Sequence, residues 1–395
     1  MPHLPLPPSF FHCPPLETHE RVSLIADARD ACRDTILNAK ALAGAAPVYQ
    51  TFTHPQTQRR LTVRLGADLQ NPNEICMSAH TLVNASIDAV ADVYANFATS
   101  STSKNPVLAS DVLDRVRLYE LVARREVAEA PLHAVYLQWM ALRTPPVIAN
   151  RDFCYLECHD EFLDGPARQR GFVRSVHSVD AACCPPLSAA YGLTRGHFLR
   201  SGQVFIEASS DEVGALDAYH VLVLQLKGNV PKDIQISVML SLLLQACELD
   251  THFRAEQLCA VQLVPLSIVR AQPKAVACRR CTRPFRKNLF QSAKQFRCRM
   301  CGHAVCRACH HVWRLGGSEA RICVACAEMA KPNAPMPVAA TASPVPCLDE
   351  ESAIVPVLYG RLSDAKRKRR AETKTDVSPL ERHVWNERLA LTSTS

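Results

Sequence analysis

No stretch of the 395-residue chain approaches the roughly 20 uninterrupted apolar residues that a helix needs to cross a bilayer, so no transmembrane segment is expected. The first residues, Met1 to Pro15, are proline-rich and lack the charged n-region and apolar h-region of a secretory signal. A soluble, unsecreted protein is the expectation. Catalytic signatures are missing as well: Gly-x-Ser-x-Gly, a phosphate-binding loop and His-Glu-x-x-His do not occur. The nearest approach to a reactive set is Cys154 with His159, Asp160 and Glu161, or His177 with Asp180. Cys154 and Cys158 share one strand face, as buried apolar cysteines do, so no catalytic residue is assigned and the chain is read as a non-enzyme.

Cysteine, by contrast, is abundant at 18 residues. In a small secreted chain this would suggest a disulfide scaffold, but eight of the cysteines form four Cys-x-x-Cys pairs, a spacing that serves a metal and a reducing compartment. The pairs run Cys278 and Cys281, Cys298 and Cys301, Cys306 and Cys309, then Cys323 and Cys326. Each pair sets two thiolates on one side of a knuckle, so four pairs supply two tetrahedral four-cysteine sites for two Zn2+ ions, closed to substrate water and therefore structural. Spacing alone does not say which pairs share an ion. The remaining cysteines lie in apolar or loop sequence and receive no chemistry.

Charge is spread unevenly. Residues 1 to 273 carry 23 Lys and Arg against 28 Asp and Glu, residues 274 to 330 carry 12 against 2, and the remainder carries 10 against 8. Eight thiolates and two zinc ions would lower the cysteine-rich segment to about +6, still a charge that seeks a polyanion such as an acidic membrane. Nucleic acid is not expected, because the segment has no evident aromatic platform for bases.

Along the chain, Thr18 to Lys40 has helical apolar spacing and should pack on a sheet. Short β-like runs follow at Val48 to Thr53, Arg60 to Leu65, Ile75 to Leu82, Val116 to Val122, Ala134 to Leu142, Phe153 to Cys158, Gly171 to Val179, Gln203 to Ala208 and Ala218 to Leu226. A second helix is expected at Ala85 to Phe97, and Asp164-Gly165, Pro185-Pro186 and Ser201-Gly202 read as turns between later strands. After Pro231, Asp233 should cap one continuous helix to about Leu258, roughly 38 Å long and apolar nearly all round in its first half. Its two stripes have a plain reading as core on both sides. Beyond residue 330 the composition turns to Pro, Ala, Ser and Thr, the mark of a disordered tail. Within it, Lys366 to Arg370 has the form of a nuclear import signal or an anionic-surface contact, with a solvated charge run as the plain alternative.

The order helix, antiparallel strands, long helix resembles the START helix-grip fold. The residues carrying the resemblance are Pro146 with Arg151 to Leu156, Gly171 to Ser178, Arg195-Gly196 and Lys227 to Pro231. The division expected is a leader over 1–17, a START-like domain over 18–265, a zinc finger over 274–330 and a tail over 331–395. START domains hold a lipid or other hydrophobic molecule between the sheet and the C-terminal helix, which implies a hydrophobic ligand here.

The cysteine segment resembles FYVE fingers in its Cys-x-x-Cys-x4-Cys-x-x-Cys centre, in Arg299, in Gly302 and in Arg321-Ile322. That resemblance implies a cross-brace, with Cys278, Cys281, Cys306 and Cys309 on one zinc and Cys298, Cys301, Cys323 and Cys326 on the other. It departs from phosphatidylinositol 3-phosphate readers in lacking Trp-x-x-Asp before Cys278, and it has Lys294-Gln295-Phe296-Arg297-Cys298 where they have Arg-Lys-His-His-Cys. His310-His311 fall outside the motif and read as solvent-facing or as support for the ligands.

The class expected is α+β, a START-like helix-grip domain with a two-zinc FYVE-like finger. The role expected is a lipid-associated adaptor in the cytoplasm, peripheral on an endosomal membrane, contacting acidic phospholipid or a protein partner. A RING-type ubiquitin ligase, or a protein-interaction module with a vestigial START-like scaffold, is the alternative, although RING domains normally place a His among the middle ligands. For the membrane contact, Lys294, Arg297, Arg299 and Arg321 form the expected basic face, and Leu289 and Phe290 lie in the stretch that inserts into membranes in FYVE fingers. Each basic residue near an anionic surface contributes about 1 kcal/mol, so affinity should be modest and charge-driven. Liposome sedimentation should then show binding that falls as salt rises and differs little between 3-phosphorylated lipid and equally charged phosphatidylserine. A salt-resistant preference for the 3-phosphate would refute this.

Overall fold

The computed structural model of the protein describes residues 4–7, 9–99, 111–208, 214–285, 287–288, 291–292 and 294–329. Leu289 and Phe290, the basic run 366–370 and the whole segment 331–395 lie outside these described residues.

The chain opens with α1 (Thr18–Ala45), started by a reciprocal cap in which Glu20 accepts from the Glu17 N–H at 2.9 Å. Three strands follow, β1 (Val48–Thr53), β2 (Arg60–Ala67) and β3 (Ile75–Asn84), then α2 (Ile87–Thr99). The antiparallel run continues through β4 (Val112–Val122), β5 (Ala134–Leu142), β6 (Arg151–Asp164) and β7 (Gln169–Ser178). An excursion holds α3 (Ser188–Tyr191), β8 (Thr194–Arg195) and β9 (His197–Phe198), before β10 (Ser201–Glu207) and β11 (Ala215–Gln225) close the sheet. Its order is β1-β2-β3-β11-β10-β7-β6-β5-β4, antiparallel throughout that path.

Both faces are covered, which is why the central strands are apolar at successive positions instead of alternating with polar ones. On one face lies α1, whose Ala28, Cys32, Ala39 and Leu42 meet Cys154, Leu156, Cys158, Val173 and Val223. Small side chains on that helix let it approach the sheet closely. On the other, inner face, Ile87, Val90 and Tyr94 of α2 pack with Phe172, Phe205, Leu216, Leu249 and Phe253. The leader belongs to the core as well: Leu6 is buried and its N–H donates to Asp114 at 2.6 Å.

The expected single C-terminal helix is two, α4 (Lys232–Leu244) and α5 (Ala246–Cys259). The break falls at Gln245, whose N–H reaches the carbonyl of Leu242, while Glu248 reaches Gln245; both bonds run three residues back and interrupt the i to i−4 ladder. The cap is Pro231 and not Asp233, which sits inside the first turn, where a carboxylate favours the positive helix end. By length and composition Lys232–Cys259 is the one stretch among the described residues apolar enough to cross a bilayer, yet half of it is buried within the fold. It contains the buried Asp250 and Arg254 pair at 2.9 Å, and it serves as a core element. With the antiparallel sheet, α1 behind it and α4–α5 across its inner face, the architecture is the α+β helix-grip arrangement.

After α6 (Leu266–Ala271) come four short strands, β12 (Lys287–Asn288), β13 (Gln291–Ser292), β14 (Phe296–Arg297) and β15 (Ala304–Val305). A hairpin of β16 (His310–Leu315) and β17 (Ser318–Cys323) and a final α7 (Val324–Met329) complete the described chain. The sheet domain and these elements belong to one compact unit.

Of the expected turns, Asp164-Gly165 does join β6 to β7, with Gly165 at φ +59°. Pro185-Pro186 instead leads into the α3 excursion, and Ser201-Gly202 opens β10. Gly202 is there for close approach: at φ +151°, a Cβ would fall 1.9 Å from the Arg174 carbonyl oxygen of the neighbouring strand. Replacing Gly202 by Ala should therefore destabilise the protein by at least about 2 kcal/mol in urea unfolding. An unchanged midpoint would show that the two strands separate without cost.

Candidate functional site

The eight cysteines form two quartets, Cys278, Cys281, Cys306 and Cys309, and Cys298, Cys301, Cys323 and Cys326, with the sulfur atoms of each lying within 4.8 Å of one another. The first and third pairs thus share one site and the second and fourth the other, which is the cross-brace. The Cys281 and Cys306 sulfurs are 3.7 Å apart, close to the edge of about 3.8 Å of a tetrahedron with Zn–S bonds of about 2.3 Å. Backbone N–H groups already point at the sulfurs: Cys306 to Cys278 at 3.4 Å, and Cys323 and Met300 to Cys298 at 3.3 and 3.4 Å. Hydrogen bonding from Cys326, with these N–H groups, outweighs burial and holds the Cys298 thiol at about 4. Burial opposes ionisation of Cys278 too, but the N–H groups of Cys281, Cys306 and Arg280 bring it down to about 6. Burial pushes the Cys301 thiol up to about 11 and Cys309 upward as well, so only part of each quartet favours the thiolate by itself; four sulfurs in each site still fit a structural metal ion of the zinc class. Of the two histidines past Cys309, His310 is buried, bonds the Cys306 carbonyl through Nδ1 at 3.0 Å and stacks on Phe296; it supports the site and does not enter it.

The finger is built onto the sheet domain. Its small core of Val305, Trp313, Leu315 and Ile322 is completed by Leu258, fully buried on α5, with Ala255 and Cys259 beside it. Polar bonds cross the same boundary: Arg254 Nη1 donates to the Ala327 carbonyl at 3.4 Å, and Gln56 Nε2 to the Val312 carbonyl at 3.0 Å. The linker is also held. Val264 N–H donates to the Arg299 carbonyl at 2.6 Å while Arg299 Nε donates to the Val264 carbonyl at 2.9 Å. Arg297 donates to the Gln272 side chain at 2.5 Å and to the Pro273 carbonyl. Gly302 accommodates that linker, since a Cβ there would lie 2.9 Å from Gln272 Nε2.

The expected basic face is accordingly divided. Arg297 and Arg299 are half-buried and turned to linker carbonyls, whereas Lys294 and Arg321 are exposed, Arg321 lying over the Phe296 ring at 5.4 Å. The reactive set considered from sequence does not assemble: Cys154 faces α1, and His159, five positions on, projects from the opposite face of β6. His177 Nδ1 accepts the Arg200 N–H at 3.2 Å.

A second cluster, on the inner face beneath α2 and α4, has no counterpart in the sequence reading. Glu157 is fully buried and accepts from Arg174 Nε at 2.7 Å, His159 Nε2 at 2.9 Å and Gln138 Nε2 at 3.0 Å. Gln138 in turn accepts from Arg115 Nε at 2.6 Å, and Arg174 donates to Gln203 at 2.9 Å. Burial would raise the Glu157 carboxyl, but Arg174, with His159, holds it well below the usual carboxylate range. Burial lowers both histidines, His220 to about 3 with help from Arg174. The walls are apolar or aromatic, including Tyr94, Phe97 and Phe205. Several buried polar atoms on this side have no partner among the described residues: Arg115 Nη1, Tyr155 OH, His220 Nε2, Ser241 Oγ and Thr81 Oγ1. Each such orphan costs about 1–3 kcal/mol. The available signal in sequence was a charge or amide inside an apolar strand, as at Gln138, Glu157 and Arg174; their convergence was not readable.

The START-like signature residues serve a different end of the sheet. Arg151 Nε donates to the Leu226 carbonyl at 2.8 Å, and Asp152 accepts from Arg195 at 2.8 Å and from Trp139 Nε1 at 3.0 Å, a buried clamp between β5, β6 and the segment after β11.

No family model and no curated protein matches the chain. Among solved structures it is similar to human StAR-related lipid transfer protein 5, at 12% identity and TM-score 0.42 over 58% of this chain and 96% of that one. It is similar also to human STARD10 at 13% and 0.36, over 66% and 90%. A STAR-related lipid transfer protein fragment from Xanthomonas axonopodis aligns at 11% and 0.35, over 53% and 99%.

Metal analysis of the purified chain should return two ions, and one ion per chain would break the two-quartet assignment. Because Leu258 is shared, chelation should do more than unfold residues 278–326: hydrogen exchange should also rise through Ala255–Val264 while β5, β6 and β7 stay protected. Unchanged exchange in α5 would show that the finger's core is separable.

Proposed function

We propose that this is a non-enzymatic, zinc-binding, lipid-associated adaptor: a START-like domain that takes an amphiphile against its inner face, carrying a two-zinc FYVE-like finger that addresses an acidic membrane or a protein partner. One observation carries the lipid reading. Polar atoms on Arg115, Tyr155, His220 and Ser241 are buried without partners among aromatic and aliphatic walls, the environment of a ligand that is mostly apolar and has a polar end. A catalytic reading has less to stand on, since His159 is tied to Glu157 and no described hydrogen bond joins a buried histidine to a nucleophile.

Zinc is the proposed ion because four thiolates at tetrahedral spacing suit it and leave no reactive position. The membrane reading rests on exposed charge: Lys294 and Arg321 are joined by exposed Lys274, Arg279, Arg283 and Arg307 on the same finger. Arg297 and Arg299, being engaged by the linker, contribute to docking of the finger instead. Work at a cytoplasmic, endosomal surface is the location proposed.

Organic extraction of the purified full chain, with mass spectrometry of the extract, should release a hydrophobic molecule near one per chain, and stripped protein should take up the neutral dye Nile red. Absence of both would overturn the lipid reading.

A further inference from the structure

The ionised side chains of the inner cluster do not balance. Among the described residues Arg115 and Arg174 face a single carboxylate, Glu157, and that carboxylate is already engaged by Arg174. The other acid next to Arg115 in sequence, Asp114, belongs to the opposite face, where it holds the Leu6 N–H. Arg115 is buried, with its guanidinium 3.6 Å above the Phe97 ring; Nε is taken by Gln138 and Nη2 donates to the Phe97 carbonyl at 2.8 Å. Its Nη1, bearing two N–H groups, has no partner among the described residues. On the same face, one strand beyond Gln138, the Tyr155 hydroxyl also has none. A buried cation that keeps a free pair of donors, with a second free donor on the same face, is a receptor for an anionic oxygen.

We propose that the amphiphile held on the inner face carries a carboxylate, received by Arg115 Nη1 and the Tyr155 hydroxyl. This deepens the lipid-binding reading and rests on it. One negative charge closes the imbalance of one; a phosphate monoester, with close to two, would overshoot it. The aromatic surfaces around the head, Phe97 and Tyr94, suit the first methylenes of an acyl or polycyclic acid.

The test uses the full zinc-loaded chain and displacement of Nile red by oleate and by oleyl alcohol, both kept below the concentration at which they aggregate. Oleate should displace the dye at a concentration at least tenfold lower than the alcohol. Tyr155→Phe, which keeps the ring and its packing, should weaken oleate several-fold and leave the alcohol unchanged. Arg115→Leu should bring the two ligands within about threefold of each other. If that variant does not fold, the wild-type ratio and Tyr155→Phe decide. Equal displacement by acid and alcohol in the wild type would overturn the carboxylate inference and leave the lipid reading standing. Failure of both ligands, together with no dye uptake, would overturn the two together.

Discussion

The rest of the structure hangs on a buried carboxylate, Asp250. It is fully inaccessible, accepts from Arg254 on the next turn of α5 at 2.9 Å and from the backbone N–H of Asn84 at the end of β3 at 3.2 Å, and lies 3.7 Å from Arg59. A carboxylate in that setting is tolerable only while its cations and N–H donors stay in place. It therefore fixes where α5 crosses the sheet. Arg254 extends the same network to the Ala327 carbonyl of α7, so the position of the finger and the position of the helix over the inner face are set by one group.

From this follows the relation of the two modules. A module of this size built on two four-cysteine clusters has little core of its own and would rely on metal for its stability. Here it also shares Leu258, and its two most central arginines hold the linker carbonyls of Val264, Gln272 and Pro273. Of the four basic residues expected to face a membrane, Arg297 and Arg299 thus hold the linker, whereas Lys294 and Arg321 stay exposed.

The inner face shows the opposite arrangement. Where most core positions are apolar and packed, Arg115, Gln138, Glu157 and Arg174 form a chain of hydrogen bonds across four strands, with donors left over at one end. Polar groups in such a place are costly when half satisfied. They lie in a layer otherwise filled by Tyr94, Phe172 and Phe205.

Much of the fold was legible in sequence: Ala134–Leu142, covered on both faces, falls where its nearly uninterrupted apolar run placed it, and the edge strand Val48–Thr53 falls where its β-favouring residues placed it. The metal sites were legible for a different reason, since Cys-x-x-Cys is a local geometry that needs no long-range information, and only the partition of the pairs into Cys278, Cys281, Cys306, Cys309 and Cys298, Cys301, Cys323, Cys326 awaited the fold. Other features depended on distant partners. Gly202 looked like a turn residue and is a point of contact with Arg174; the helix after Pro231 looked continuous and breaks at Gln245; Arg297 and Arg299 looked free for a membrane and are taken up by the linker. Arg115, Glu157 and Arg174 are separated along the chain, and only strand register brings them together. Local spacing determines which groups a segment can offer, whereas tertiary structure decides whether their hydrogen bonds are satisfied inside the protein or left for a ligand.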